Sequence, residues 1–178
     1  NTATDLIRLT KKVFGTGAWA SGGALNTARG GLGSAQAGTQ TAALAFAGES
    51  PGGNQAITES YNGTSWTEVN DMNTARQNLA GAGTQALALA FGGNLPPDQN
   101  FTEEFDGTSW SEQNNLNSGR AGLKGTGTQT AALAFSGTNG GTNRQTTTEK
   151  YDGTSWTEVN DLNTARTDSG AFGTLQSN

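Results

Sequence analysis

Apolar residues in this chain occur as short runs that alternate in size, set between stretches rich in Gly, Asn and Thr. The run Ala86-Leu87-Ala88-Leu89-Ala90-Phe91 alternates small and large side chains, which predicts a buried β-strand. The preceding run, Asn78–Gly83 (NLAGAG), is built from residues small enough for the crowded inner edge of a tapering wedge. A polar loop follows, then Thr102-Glu103-Glu104-Phe105, Asp106-Gly107 and Thr108-Ser109-Trp110-Ser111. Asp-Gly between two strand-like runs predicts a hairpin with a type I′ turn, in which both central residues have positive φ. The same signal stands at Asn62-Gly63 and Asp152-Gly153. Four antiparallel strands, a to d, thus fill a stretch of about 45 residues, and nothing reads as a capped amphipathic helix.

The pattern repeats. Trp19, Trp66, Trp110 and Trp156 are 47, 44 and 46 residues apart, and each is followed ten residues later by an arginine: Arg29, Arg76, Arg120 and Arg166. Thr58–Arg76 and Thr148–Arg166 agree at sixteen of nineteen positions. Between these blocks GTQTAALAF (Gly38–Phe46), GTQALALAF (Gly83–Phe91) and GTQTAALAF (Gly127–Phe135) recur. Such a period marks a chain of equivalent supersecondary units. Complete a–d units are predicted at 30–69, 77–113 and 121–159. Strands c and d of a further unit end near Trp19, and its strand a lies near Asp168–Gly173. The whole of 1–178 reads as a single repeat domain: a partial unit over 1–29, units over 30–76, 77–120 and 121–166, and a last strand within 167–178.

Four short strands at this period describe a β-propeller blade, and the residues resemble the kelch repeat: an apolar strand ending in Gly, a Glu-x-Tyr step, Trp, and Arg at the next blade. The kelch Gly-Gly doublet is kept at Gly92-Gly93 and becomes Ala47-Gly48 and Ser136-Gly137 elsewhere. The GTSWTEVNDLNTAR-type blocks are similar to kelch-like arrays in virion structural proteins of marine bacteriophages. The resemblance implies an all-β propeller-like fold of about four blades, one of them incomplete or split between the termini. It further implies a virion or extracellular setting. Unpaired strand edges at both ends predict self-association or attachment to neighbouring virion subunits.

Composition narrows the chemistry. With no Cys and no His, the chain has no thiol nucleophile, imidazole base or disulfide, and lacks the commonest zinc and copper ligands. A net charge of −5 opposes sequence-independent binding of nucleic acid, and no run approaches the ~18 apolar residues of a membrane span. No cofactor or metal is expected. Asn70–Thr74 and Asn160–Thr164 bring oxygen side chains together, but Asx and Ser/Thr turns account for them.

Each recurring residue has two readings. Trp19, Trp66, Trp110 and Trp156 offer faces for sugar stacking, or they fill space between units; a position filled in every unit favours packing. Arg29, Arg76, Arg120 and Arg166, with Glu59, Glu103 and Glu149, form either a ring of ligand-facing charge or structural ion pairs, the latter being favoured. The b–c connections differ between units: Glu49–Ala56, Asn94–Asn100 and Thr138–Thr146. They are predicted to emerge on the same side as the d–a loops. Variable loops on a rigid repeat suit recognition, which places candidate binding residues at Asn54, Gln55, Asn94, Asp98, Gln99, Asn143 and Arg144. The expected function is therefore non-enzymatic: a virion surface, tail or fibre part presenting loops to a host-surface glycan or a protein. A kelch-like interaction scaffold or a lectin is the alternative. A sialidase-like hydrolase, suggested by a faint likeness of Asp-Gly-Thr-Ser-Trp to an Asp-box turn, is less favoured, because one Arg per unit does not converge on a centre.

Overall fold

The computed structural model describes residues 21–171 and 173, and these form β-strands and connecting loops with no helix. In the first unit β1 (Gly33–Ser34) and β2 (Ala43–Phe46) lead to a small outlying hairpin, β3 (Glu49–Ser50) and β4 (Gly53–Asn54). The chain returns through β5 (Thr58–Tyr61) and β6 (Trp66–Val69). The second unit holds β7 (Ala80–Gly83), β8 (Ala88–Phe91), β9 (Thr102–Phe105) and β10 (Trp110–Gln113). The third repeats the first: β11 (Lys124–Thr128), β12 (Ala131–Phe135), a hairpin of β13 (Thr138–Asn139) and β14 (Asn143–Arg144), then β15 (Thr148–Tyr151) and β16 (Trp156–Glu158). Each unit is one antiparallel four-stranded sheet whose strands lie in chain order, and in the first and third units the extra hairpin is set outside it.

The alternation in the b strands decides how sheets stack. Strand neighbours point to opposite faces, so each sheet has a large face and a small face. Leu44 and Phe46 of the first sheet join Ala88, Ala90, Phe105 and Trp110 of the second in one buried cluster. Leu89 and Phe91 of the second join Ala132, Ala134, Tyr151 and Trp156 of the third in another. Leucine and phenylalanine from one unit thus enter a depression left by alanines and floored by the tryptophan of the next.

The first strands β1, β7 and β11 lie against one another where the units come closest. A Cβ on Gly81 would stand 2.7 Å from the Phe46 ring and press on the Ser34 carbonyl, while one on Gly125 would be 2.8 Å from the Gly81 carbonyl oxygen. Backbone meets backbone there, which is why the run is glycine and alanine. Just before these strands a hydrogen-bonded column links the units: Asn78 N–H donates to Gly31 O (2.7 Å), Gly122 N–H to Asn78 O (2.8 Å) and Asp168 N–H to Gly122 O (3.1 Å). All four column residues have φ between 53° and 62°. Only Gly, Asn and Asp stand at these left-handed positions, the residues for which that conformation is least costly.

Two expectations change. The Asn-Gly and Asp-Gly hairpins are not two-residue type I′ turns. Tyr61 pairs with Trp66, Phe105 with Trp110 and Tyr151 with Trp156, leaving four-residue loops. Gly63, Gly107 and Gly153 take positive φ, whereas Asn62, Asp106 and Asp152 do not. The reason is an Asx turn: Asp106 Oδ1 accepts the N–H groups of Thr108 (2.8 Å) and Ser109 (2.7 Å), and Asn62 and Asp152 do the same in their loops. These bonds to the charged form hold the Asp106 and Asp152 carboxyls below the usual range. As to the expected fourth unit, the segment Asp168–Gly173 runs beside the third sheet, where Gly173 O accepts from Thr126 Oγ1, but its described residues form no strand. The strands expected to end near Trp19 lie outside the described residues.

Candidate interaction surface

The repeated charges are internal. The Arg of each d–a loop reaches into the unit that follows it and meets the Glu of strand c. Arg76 Nη1 lies 2.5 Å from Glu103 Oε1, Arg120 Nη1 lies 2.5 Å from Glu149 Oε1, and Arg29 pairs with Glu59 in the same way. Every side chain in the three pairs is at most 1% exposed. The second carboxylate oxygen is also used: Glu103 Oε2 accepts Asn73 N–H (2.7 Å) and Asn73 Nδ2 (3.1 Å), and Asn73 Nδ2 reaches Trp110 O (3.1 Å). Asn117 repeats all three bonds around Glu149 and Trp156. One short loop therefore pins strands c and d of the unit that follows it.

The arginine also bonds the turn after strand b. Arg76 Nε donates to Gly92 O (2.9 Å) and Arg29 Nε to Ala47 O (2.8 Å). Those residues are the first of the doublets, and Ala47 (φ 58°), Gly92 (67°) and Ser136 (63°) all keep the left-handed conformation. The departures from Gly-Gly thus change the side chain and not the backbone, at a cost of roughly 1–2 kcal/mol for a non-glycine residue. Burial alone raises the Glu59 carboxyl, but the Asn26 N–H and the Arg29 guanidinium outweigh it and hold the group below its ordinary value. Burial pulls the Arg76 guanidinium down, opposed by Glu103.

Trp110 and Trp156 are 6% exposed. Trp110 Nε1 donates to Thr58 Oγ1 of the preceding sheet (3.0 Å), and Trp156 Nε1 to Thr102 Oγ1 (3.0 Å). Phe46 stands edge-on to Trp110 at 5.0 Å, and Phe91 lies 4.9 Å from Trp156. Neither indole offers a face to a ligand. Trp66 is half-buried, and its Nε1 reaches Gly23 O at 3.1 Å. Trp19 lies outside the described residues. Tyr151, buried beside Trp156, donates to Glu104 Oε1 (3.1 Å); burial first and that carboxylate second push its phenol well above the ordinary range.

Two glutamines carry a role that sequence reasoning missed. Gln85 Nε2 crosses to the first unit and donates to Tyr61 O (2.6 Å), Ser60 Oγ (2.9 Å) and Ala43 O (3.1 Å). Gln129 does the same to Phe105 O (2.7 Å) and Ala88 O (3.1 Å) of the second. The recurring Gly-Thr-Gln was the available signal. The acidic loops spend their oxygens on backbone as well: Asp71 Oδ1 accepts Thr58 N–H (3.3 Å), and Asp161 Oδ1 accepts Thr148 N–H (3.1 Å).

What faces outward is the row of b–c segments. They lie against the d–a loops, through bridges such as Gln77 to Asn94, Ala121 to Thr138 and Gln145 to Arg166. The structure brings several candidate residues together. Asn54 Nδ2 donates to Asn94 O (3.2 Å), Asn94 Nδ2 to Asp98 Oδ1 (2.6 Å), and Asp98 Oδ2 accepts Gly140 N–H (2.9 Å) from the third unit. Gln55 and Gln99 close their own loops, on Gly53 O (2.8 Å) and Leu95 O (2.6 Å). Asn143 and Arg144 stand apart on the third hairpin and are exposed. The result is a rim stapled loop to loop, with outward tips at Pro51-Gly52, Leu95–Pro97 and Asn139–Arg144. No model of a known protein family matches the chain, and no curated protein sequence matches it either.

Proposed function

We propose that the chain is a propeller-like display module whose stacked sheets hold a rim of variable loops for recognition of an external partner, and that it performs no catalysis. The observation that carries the reading is the division of labour among polar side chains. Arg29, Arg76 and Arg120 with their Glu partners, and the recurring Asn73, Asn117, Gln85 and Gln129, are consumed inside and between units, whereas the side chains that differ between units sit on the b–c rim. A repeat whose charges are internally neutralised gives stiffness without a reactive centre, and loop variation on a stiff support is how such scaffolds acquire partners. Radial stacking is supported by the close approach of the first strands at one side and by wedge-like faces, large on one surface and small on the other. The kelch-like similarity of the blocks adds a setting, a virion surface. The Asn-, Gly- and Thr-rich tip at Asn139–Arg144 favours a hydroxyl-rich ligand such as a host-surface glycan.

A glycan array probed with the wild-type chain and with a double variant, Asn143→Ala and Arg144→Ala, tests this. The variant should unfold like wild type, since both residues are exposed and make no side-chain bond to a neighbouring unit. It should lose retention on the glycans that wild type binds. Absence of any glycan binding by the wild-type chain, or binding untouched by changes along the whole rim, overturns the reading.

A further inference from the structure

Among the described residues the sheet-to-sheet interface occurs twice, and each half of it recurs once more with no described sheet against it. On the third sheet Leu133 and Phe135 occupy the positions of Leu44 and Phe46, yet are half-buried where those are 1% and 0% exposed. Thr148 stands where Thr58 and Thr102 receive a tryptophan N–H, and instead its hydroxyl turns to Thr146 O at 3.4 Å. The fourth Asn–Arg loop, Asn163–Arg166, is exposed and meets no carboxylate among the described residues; Arg166 Nε donates to its own Thr164 O.

The opposite end carries the complement. The outer surface of the first sheet has a hollow of about 360 Å³ lined by Leu25, Leu32, Ala43, Ala45 and Trp66 among others. In the second unit the equivalent alanines and Trp110 receive Leu44 and Phe46. Gln40, equivalent to the bridging Gln85 and Gln129, is exposed.

We propose that the chain associates head to tail with a second copy, the Leu133–Phe135 face of one docking into the Trp66 hollow of the next. The contact reproduces an interface the chain already makes twice. Trp66 Nε1 turns from Gly23 to Thr148 Oγ1, and Gln40 reaches the Ala132 and Tyr151 carbonyls. Charge selects the second copy over the N-terminal segment of the same chain. Seven residues before each of Trp66, Trp110 and Trp156 stands a Glu, but seven before Trp19 stands Lys12, which would oppose Arg166. A second copy presents Glu59. That carboxylate is held by its own Asn26–Arg29, so docking exchanges one Asn–Arg loop for another of the same chemistry. Such a contact is heterologous, and repeats into a ring or a filament.

Sedimentation velocity of three preparations tests the proposal. Wild type should sediment as 18.2 kDa chains when dilute and at two or more times that mass when concentrated. Ala43→Arg blocks the hollow, and Arg166→Glu sets a like charge against Glu59 from an exposed position that leaves folding unaffected. Each variant alone should associate at least about tenfold more weakly. Mixed in equal amounts they should form a heterodimer that grows no further, because one retains an intact face and the other an intact hollow. A wild type that stays monomeric throughout, a variant that assembles as well as wild type, or a mixture that fails to pair overturns the proposal.

Discussion

Replacing Glu103 by Ala removes the acceptor around which the second unit is pinned. Arg76, fully buried, loses the oxygen 2.5 Å from its Nη1, and the Asn73 backbone and side-chain amides lose theirs. The guanidinium keeps Gly92 O and Thr74 O, so it is not stripped of acceptors, but its charge stands uncompensated away from water. Breaking one side of a buried pair costs about 3–5 kcal/mol, against at most ~1 kcal/mol for an exposed pair. With a urea slope of about 2 kcal/mol per M, the unfolding midpoint should fall by roughly 1.5–2.5 M at unchanged slope. Tryptophan fluorescence follows the transition, since Trp110 borders the site. Glu49→Ala, an exposed carboxylate on the outlying hairpin of the first unit, serves as the surface control and should stay within about 0.5 kcal/mol. Removing both partners, as Arg76→Met with Glu103→Leu, should recover most of the loss, because an apolar pair leaves no charge to solvate. A Glu103→Ala midpoint indistinguishable from that of Glu49→Ala would refute the claim that the pair is internal.

Three further outcomes are expected. Gly81→Ala should destabilise by about 1–3 kcal/mol in urea unfolding, since its Cβ has to push apart the first two strands of neighbouring units at Ser34 and Phe46. Trp110→Ala should cost on the order of 3 kcal/mol or more, from lost packing between Phe46 and Phe105 and a Thr58 hydroxyl without its donor. Acid should act through Glu59: its folded pKa is lowered from 4.5, so its contribution is complete above that value and is lost as pH falls through the lower folded value. Stability of wild type measured against pH should therefore decline more steeply in that window than stability of Glu59→Gln.

The unit length, the strand order and the buried character of Ala86–Phe91 are local properties of the chain, and repetition amplifies them until they can be read directly. An Ala-Leu-Ala-Leu-Ala-Phe run can only present a small face and a large one, so sheet stacking is implicit in it. The glycine-rich first strand likewise announces a crowded place. Other features depend on groups distant along the chain. Arg76 and Glu103 are 27 residues apart; their recurrence favours a structural ion pair, but which Glu each Arg meets is decided only by the folded loop, which removes water from both. Gln85 resembles any turn glutamine until its amide is found on the carbonyls of a neighbouring unit 24 residues back. The Asp-Gly turns depart from the two-residue type because a side-chain oxygen, not the backbone dihedrals alone, closes the loop. Periodicity thus determined which residues are equivalent. Tertiary structure decided which equivalents find partners, because burial and side-chain hydrogen bonding arise between units, and among the described residues Leu133, Phe135 and Arg166 have no following unit to supply them.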